Sequence, residues 1–237
     1  LASALAQSVI SKGPPLSNRL DMFARTNPAA IAGGDFYVFG RALDTVWFAV
    51  GDVAGKGLPA AMLMTRAVAA CRVAFLTHRD ATVRDVIATI EDELYEHLDE
   101  AGLFITMAVG AINEATSTLS VASAGHSPIV WVDEDGASLI PASSPPIGII
   151  RNRLPQITKR VMRPGDCLLI GSDGITEQTA PDGEMFGYDR FVELCRSMRS
   201  RPAAEQGRIV CETVHGFAAG NQPSDDSTLV IVQTLRA

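Results

Sequence analysis

A run of β-branched and aromatic residues, Thr45-Val46-Trp47-Phe48-Ala49-Val50, passes straight into Gly51-Asp52-Val53-Ala54-Gly55-Lys56-Gly57 and then into Leu58-Pro59-Ala60-Ala61-Met62-Leu63-Met64. The first run has the composition of a core strand, and the last opens an apolar helix. Between them a single carboxylate, Asp52, stands in a glycine-rich turn at the mouth of the strand. Gly51, Gly55 and Gly57 let the backbone there approach something closely.

A partner for that strand lies just upstream. Gly33-Gly34-Asp35-Phe36-Tyr37-Val38-Phe39 feeds an aromatic strand out of a glycine pair, and residues 41–44 read as the turn of a β-hairpin. Antiparallel pairing then puts Asp35, near the start of one strand, and Asp52, at the end of the next, at the same end of the sheet. Further upstream, residues 19–24 form a short strand that Thr26-Asn27-Pro28 breaks.

Beyond the glycine turn, residues 58–76 are apolar nearly all round, with Arg66 and Arg72 the only charges, so this helix is expected to be buried on more than one side. No apolar stretch is read as reaching the about 18 residues of a membrane span. Residues 82–98 predict an amphipathic helix capped by Asp80 or Thr82. Strands follow at residues 104–112, 118–123 and 129–132, read as an antiparallel meander, then at 156–162 and 166–171, the last ending at Ser172-Asp173-Gly174. Helices at 188–197 and 203–217 precede a final strand, 228–234, introduced by Ser224-Asp225-Asp226. Strands grouped around a helix pair, rather than alternating with helices, favour an α+β class.

Composition narrows the function classes. With 47% hydrophobic and 20% charged residues over 237 positions, the chain can bury a sizeable core, most simply as one domain. A net charge of -7 argues against a phosphate-backbone binding role and makes nucleic acid an unsuitable partner. Cys71, Cys167, Cys195 and Cys211 are scattered singly in apolar contexts, which indicates buried thiols in a reducing cytoplasm rather than a zinc site or a disulfide framework. The run from Leu1 to Ile10 is helix-compatible, and Leu1 to Ser11 reads as the tail of a linker from an upstream region. The expected division is therefore residues 1–15 as linker helix and 16–237 as the domain.

Asp35, Asp52, Asp173 and Asp225 or Asp226 share one grammar: a carboxylate at the edge of an apolar strand, beside Gly or Ser, where the backbone turns. Carboxylates gathered without cations repel one another, so such a set points to metal ions that supply positive charge. Oxygen donors without His or Cys suit hard, partly hydrated cations, Mg²⁺ or Mn²⁺. In a two-metal site a carboxylate and an acidified water bridge the ions. Asp52, in the tightest glycine frame, is the natural bridge, with the Val53 carbonyl as a further oxygen.

Six motifs then stand in register. Gly33-Gly34-Asp35-Phe36-Tyr37, the segment from Gly51 to Ala61, Ala124-Gly125-His126, Ser172-Asp173-Gly174 with Glu177, Asp182-Gly183-Glu184-Met185-Phe186-Gly187 and Asp225-Asp226-Ser227-Thr228 resemble the SpoIIE/RsbU-type branch of the bacterial PP2C (PPM) serine/threonine phosphatases. The resemblance runs from about Phe23 to Val232. It implies an α-β-β-α sandwich of two antiparallel sheets flanked by helices, with two divalent cations, Mn²⁺ or Mg²⁺, at one sheet end.

The resemblance further implies hydrolysis of phosphoserine or phosphothreonine on a regulatory partner, a STAS-type anti-sigma-factor antagonist, by a metal-bridging hydroxide. Such a domain is commonly the output of a larger signalling protein that carries an upstream sensor or receiver domain. Carried over by position, Asp35, Asp52 and the Val53 carbonyl hold one metal, while Asp52, Asp173 and Asp225 hold the other, with Asp226 as the alternate to Asp225. The family often has a second acid where this chain has Val38 and an Asn where it has Ser123.

Several positions keep two readings. Arg25 is the candidate for gripping phosphate, and Gly34 and Gly174 for close backbone approach at the site. Lys56 serves either phosphate binding or an exposed turn; Glu177 either substrate contact or helix capping; His126 either a metal-adjacent place or a structural hydrogen bond. The apolar helix directly behind Asp52 offers a route to regulation, since a shift in its packing would move that carboxylate. Localisation is expected to be cytoplasmic, without direct membrane insertion of the domain, with room for an upstream anchor and for a homodimer. Two alternatives accompany the phosphatase reading: a catalytically silent protein-binding module, and a two-metal hydrolase of small phosphoesters.

Overall fold

Two stretches of backbone organise the computed structural model, which describes residues 13–29, 33–77, 82–223 and 225–235. The expected linker helix lies, up to Lys12, outside the described residues, as does Asp80, one of the two caps suggested for the helix at 82–98. The described chain divides into two units, each a five-stranded antiparallel sheet carrying helices.

The first unit takes in Ile31–His126 and Ala142–Val161. Its strands are β2 (Asp35–Ala42), β3 (Thr45–Val53), β4 (Ile105–Asn113), β5 (Thr118–Ala124) and β8 (Thr158–Val161), in the spatial order β2-β3-β4-β5-β8. Helix α1 (Leu58–Thr77) packs on β2, β3 and the next helix, and α2 (Val83–Ala101) packs on β4 and β5. Phe75 of α1 stacks on Trp47 of β3 with ring centroids 5.7 Å apart, which fixes the helix over the hairpin.

Helix α1 departs from expectation in two ways. It is buried along one face only: Ala60, Met64, Ala67, Cys71, Ala74 and Phe75 face inward, while Leu58, Met62, Val73 and Leu76 are exposed. Small alanines on the inner face let the helix approach the sheet closely, and that leaves its large outer side chains beyond reach of the core. Second, α1 is, by length and composition, apolar enough to cross a membrane, because two arginines in twenty residues do not break the run. Its inner face is nonetheless packed in the core of this unit.

Thr82 caps α2 in a reciprocal arrangement, its hydroxyl accepting from the Asp85 amide at 3.4 Å and its own amide donating to Asp85 Oδ2 at 2.8 Å.

The second unit takes in Leu16–Ala30, Ser127–Pro141 and Met162–Ala237. Its strands, in the order β1-β10-β9-β6-β7, are β1 (Leu20–Asn27), β6 (Ile129–Asp133), β7 (Gly136–Leu139), β9 (Cys167–Gly171) and β10 (Ser227–Thr234). A single helical turn, α3 (Asp173–Thr176), follows β9, and α4 (Gly187–Ser197) and α5 (Ala203–Ala218) complete the unit. Helix α5 packs on β1 and β10, and α4 on β6 and β7. Phe191, Cys195, Val210 and Ile231 lie at the centre of this core.

The meander expected from the three central strands is not formed. β4 and β5 pair, but β6 joins the other sheet, where Trp131 lies opposite Leu168 of β9. The short edge strand β7 was not anticipated. β1 runs on through Thr26 and Asn27, because both residues pair with the start of β10. Cys71, Cys167 and Cys195 are buried, and burial raises all three thiols well above the ordinary range, whereas Cys211 is only half-buried.

Candidate metal centre

The hairpin β2–β3 sets the first pair of carboxylates. Its register places Asp35 directly opposite Asp52, so both side chains leave the same face of the ladder. Asp35 is 2% exposed and Asp52 is half-buried. Two like charges opposed across a ladder destabilise it, and poor hydration sharpens the cost, so a cation between them has a physical reason to bind.

Asp52 is a strand residue rather than part of the turn. Gly51 owes its identity to the Phe36 ring: a Cβ there would come within 2.5 Å of it. The turn begins later, where Gly55 and Gly57 adopt φ of +97° and +79° and Lys56 is exposed between them. Gly34 serves the site itself, because a Cβ there would stand 2.5 Å from the Val53 carbonyl oxygen and 2.8 Å from Asp52 Oδ1. The Val53 amide donates to the Gly34 carbonyl at 3.2 Å and closes this corner.

The next strand adds one residue that the sequence did not single out, Thr106. Asp52 lies opposite Thr106 of β4, and the Thr106 hydroxyl hydrogen-bonds His126 Nδ1 at 3.0 Å. His126 is buried; its amide donates to Ser123 Oγ at 3.1 Å, while that hydroxyl donates to the His126 carbonyl at 2.7 Å. Ser123, the position that departs from the family pattern, thus clamps the turn that carries His126. The ring itself is held by the Thr106 hydroxyl.

The second unit holds the other carboxylates by turns. Asp173 opens α3, and its carbonyl accepts from the Glu177 amide at 2.7 Å, so Glu177 closes the helical turn through its backbone. Ser172 ties this turn to the start of β10: its amide donates to the Thr228 carbonyl at 2.9 Å, and its hydroxyl accepts from the Thr228 amide at 2.9 Å. Gly174 is required by close approach, since a Cβ there would lie 2.0 Å from the Asp226 carbonyl oxygen.

Asp225 and Asp226 differ in their surroundings. Asp226 is 6% exposed and its Oδ1 accepts from the Ala29 amide at 2.8 Å, which spends that oxygen on pinning the segment after β1. Asp225 is half-exposed, with Oδ1 accepting from the Asp226 amide at 2.9 Å. Partial desolvation, and after it the charges of Asp173 and Asp225, raise the Glu177 carboxyl above its ordinary value. Those three acids therefore share one electrostatic neighbourhood. Arg25, on β1, is exposed and donates through Nε to Asn27 Oδ1 at 2.8 Å.

Each unit thus gathers one acidic group, Asp35 with Asp52 in the first and Asp173 with Asp225 and Glu177 in the second. Among the described residues, no three His, Cys, Asp or Glu side chains converge into a ready-made metal cage. The donors fit a hard divalent cation that keeps much of its water, since all are oxygens and soft ligands are absent from both groups.

Comparison with known proteins identifies the fold and the family. The SiaA-PP2C domain of Pseudomonas aeruginosa superposes with a TM-score of 0.85 at 19% identity, covering 98% of this chain and 94% of that one, so the fold is that of the PP2C phosphatases. The SpoIIE family (Stage II sporulation protein E) matches residues 43–235, and the chain belongs to that family. Phosphoserine phosphatase RsbU of Bacillus subtilis is 26% identical over 237 residues, covering 98% of this chain and 69% of RsbU. Protein IcfG of Synechocystis is 26% identical over 231 residues, covering 86% of this chain. The chain spans only 36% of the length of IcfG.

Proposed function

We propose that this chain is a Mn²⁺- or Mg²⁺-dependent protein serine/threonine phosphatase, the output domain of a larger signalling protein. The observation that carries the reading is the direct opposition of Asp35 and Asp52 in a chain of the SpoIIE family. The likeness to RsbU, a phosphoserine phosphatase, over nearly the whole chain supports it.

Asp35, Asp52 and the Val53 carbonyl would hold one cation, and Asp52, Asp173 and Asp225 the other. Asp225 is preferred to Asp226 because one Asp226 oxygen is already committed to the Ala29 amide. When bound, the cations supply positive charge for the phosphoryl oxygens and lower the pKa of water in the site. The chain's own part is to fix the donors: strand register holds Asp35 and Asp52, and Ser172 and Gly174 hold Asp173 and Asp225. Gly34 keeps the corner beside Asp52 free of a side chain. A phosphorylated STAS-type antagonist of a sigma-factor pathway is the proposed protein substrate, and the phosphoserine specificity named for RsbU supports a phosphoprotein target.

The test is hydrolysis of p-nitrophenyl phosphate and of phosphorylated antagonist proteins from the same genome, with Mn²⁺ and with a chelator. Metal-dependent release of phosphate from both is expected. No turnover of either would favour a silent binding module, and turnover of the small ester alone would favour a small-phosphoester hydrolase.

A further inference from the structure

The second unit contains a cavity of about 580 Å³ between β1, β10, α3 and the C-terminal half of α5. Its volume lies in the range of ligand pockets, roughly 300–1,000 Å³. The floor is apolar, built from Ile175, Val210, Val214, Ala218 and Leu229. Nothing in the placement of the carboxylates needs this space.

Two features say what enters it. The cavity adjoins the acidic group of this unit, because Gly174 and Gln178 line it and directly follow Asp173 and Glu177 in the chain. The charge at the mouth also runs against that of the chain as a whole. Arg25 lines it, and among the described residues it has no carboxylate partner. Glu212, the acid that lines the cavity, is held by Arg208 at 2.7 and 2.9 Å. A chain with a net charge of -7 thus presents one exposed arginine and an apolar floor at one place beside Asp173.

Resting on the phosphatase reading, we propose that this cavity is a specificity subsite that takes a large apolar side chain flanking the phosphoserine of the protein substrate. Arg25 draws the anionic segment in, and Ile175, Val214 and Leu229 receive the side chain. A phosphate monoester with no peptide attached has nothing to place there. The cavity therefore selects between phosphoproteins without contributing to the chemical step.

Phosphoserine peptides in which one Leu is moved stepwise along both flanks test this. Wild-type chain with Mn²⁺ should favour one Leu position over Gly at that position by about 10-fold or more in kcat/KM, the discrimination an apolar pocket gives. Val214→Trp, which fills the half-buried floor, should remove that preference and leave p-nitrophenyl phosphate turnover unchanged.

Cys211 gives a second route that needs no substitution. It lines the cavity and is half-buried, whereas the other three thiols are fully buried, so N-ethylmaleimide should label it selectively. The favoured peptide should slow that labelling several-fold, and prior labelling should erase the Leu preference. Protection of Cys211 in a preparation that hydrolyses nothing would uphold the subsite while overturning the phosphatase reading. Equal kcat/KM for all peptides without protection would overturn the subsite, as would protection that rises only with the concentration of the chain itself.

Discussion

The two acidic groups, one in each unit, are held by different means. Asp35 and Asp52 are locked by the ladder of β2 and β3, in which the carboxylates are paired residues of one hairpin. Asp173 and Asp225 sit on a one-turn helix and on the approach to β10, tied by Ser172 and by a glycine that lets two backbones nearly touch. A ladder resists distortion along its whole length, whereas a turn depends on a few hydrogen bonds. The strand-held group is thus the more rigid of the two and the turn-held group the more adjustable.

The strongest challenge to this contrast is removal of one acid from each group. Asp52→Ala and Asp173→Ala should each lower Mn²⁺-dependent turnover by more than about 10²-fold, the scale at which loss of a charge-stabilising group is felt. The rise in melting temperature that Mn²⁺ gives should vanish in Asp52→Ala, because that residue is assigned to both cations. Near-normal turnover of Asp52→Ala would sink the assignment.

Glycine replacements probe the supports. Gly34→Ala and Gly174→Ala drive a Cβ to within 2.5 and 2.0 Å of a backbone oxygen, and each should cost about 1–3 kcal/mol of stability, read as a lower urea midpoint. If the groups differ as described, Gly34→Ala disturbs the corner that closes the end of the β2–β3 ladder and loses more stability per unit of lost activity, while Gly174→Ala moves a turn and loses more activity. Equal ratios in the two variants would dissolve the distinction.

The smallest effect sets Glu91 against Glu177, both raised above the ordinary carboxylate value. Burial is the main cause for Glu91, outweighing a hydrogen bond from the Asn152 amide at 3.1 Å. A carboxyl with a raised folded pKa favours the fold below its unfolded value, and the advantage is lost as pH rises through the folded value. Glu91→Gln should therefore raise the melting temperature at pH 7 and not at pH 4, by about 2–4 °C if the gain is about 1 kcal/mol in a chain of this size. Glu177→Gln should leave stability nearly unchanged, its carboxyl being exposed, and should instead shift the acid limb of the activity profile.

The hairpin and its opposed carboxylates were legible because they depend on local pattern: aromatic and β-branched runs, a short turn and glycines beside acids. What escaped was decided by partners far away in the chain. Gly51 resembles a turn residue until the Phe36 ring is seen to fill its missing side chain. β6 follows β5 in sequence, yet its partner is β9, and nothing within residues 129–133 records that choice. The four-residue β7 is too short and too polar to show a period. Asp225 and Asp226 were inseparable because the amide that distinguishes them belongs to Ala29, 197 residues away.

The pairing of Asp35 with Asp52 also imposes a rule of arithmetic on this stretch. Strand side chains alternate faces, so loss of one residue from β2 between Asp35 and the turn would face Asp35 away from Asp52 without altering either amino acid. Many side chains in the hairpin can be exchanged, but none can be dropped. Related chains that keep this pair are expected to vary in spelling along β2 and β3 while holding their count, with added length confined to the two-residue turn at Leu43 and Asp44.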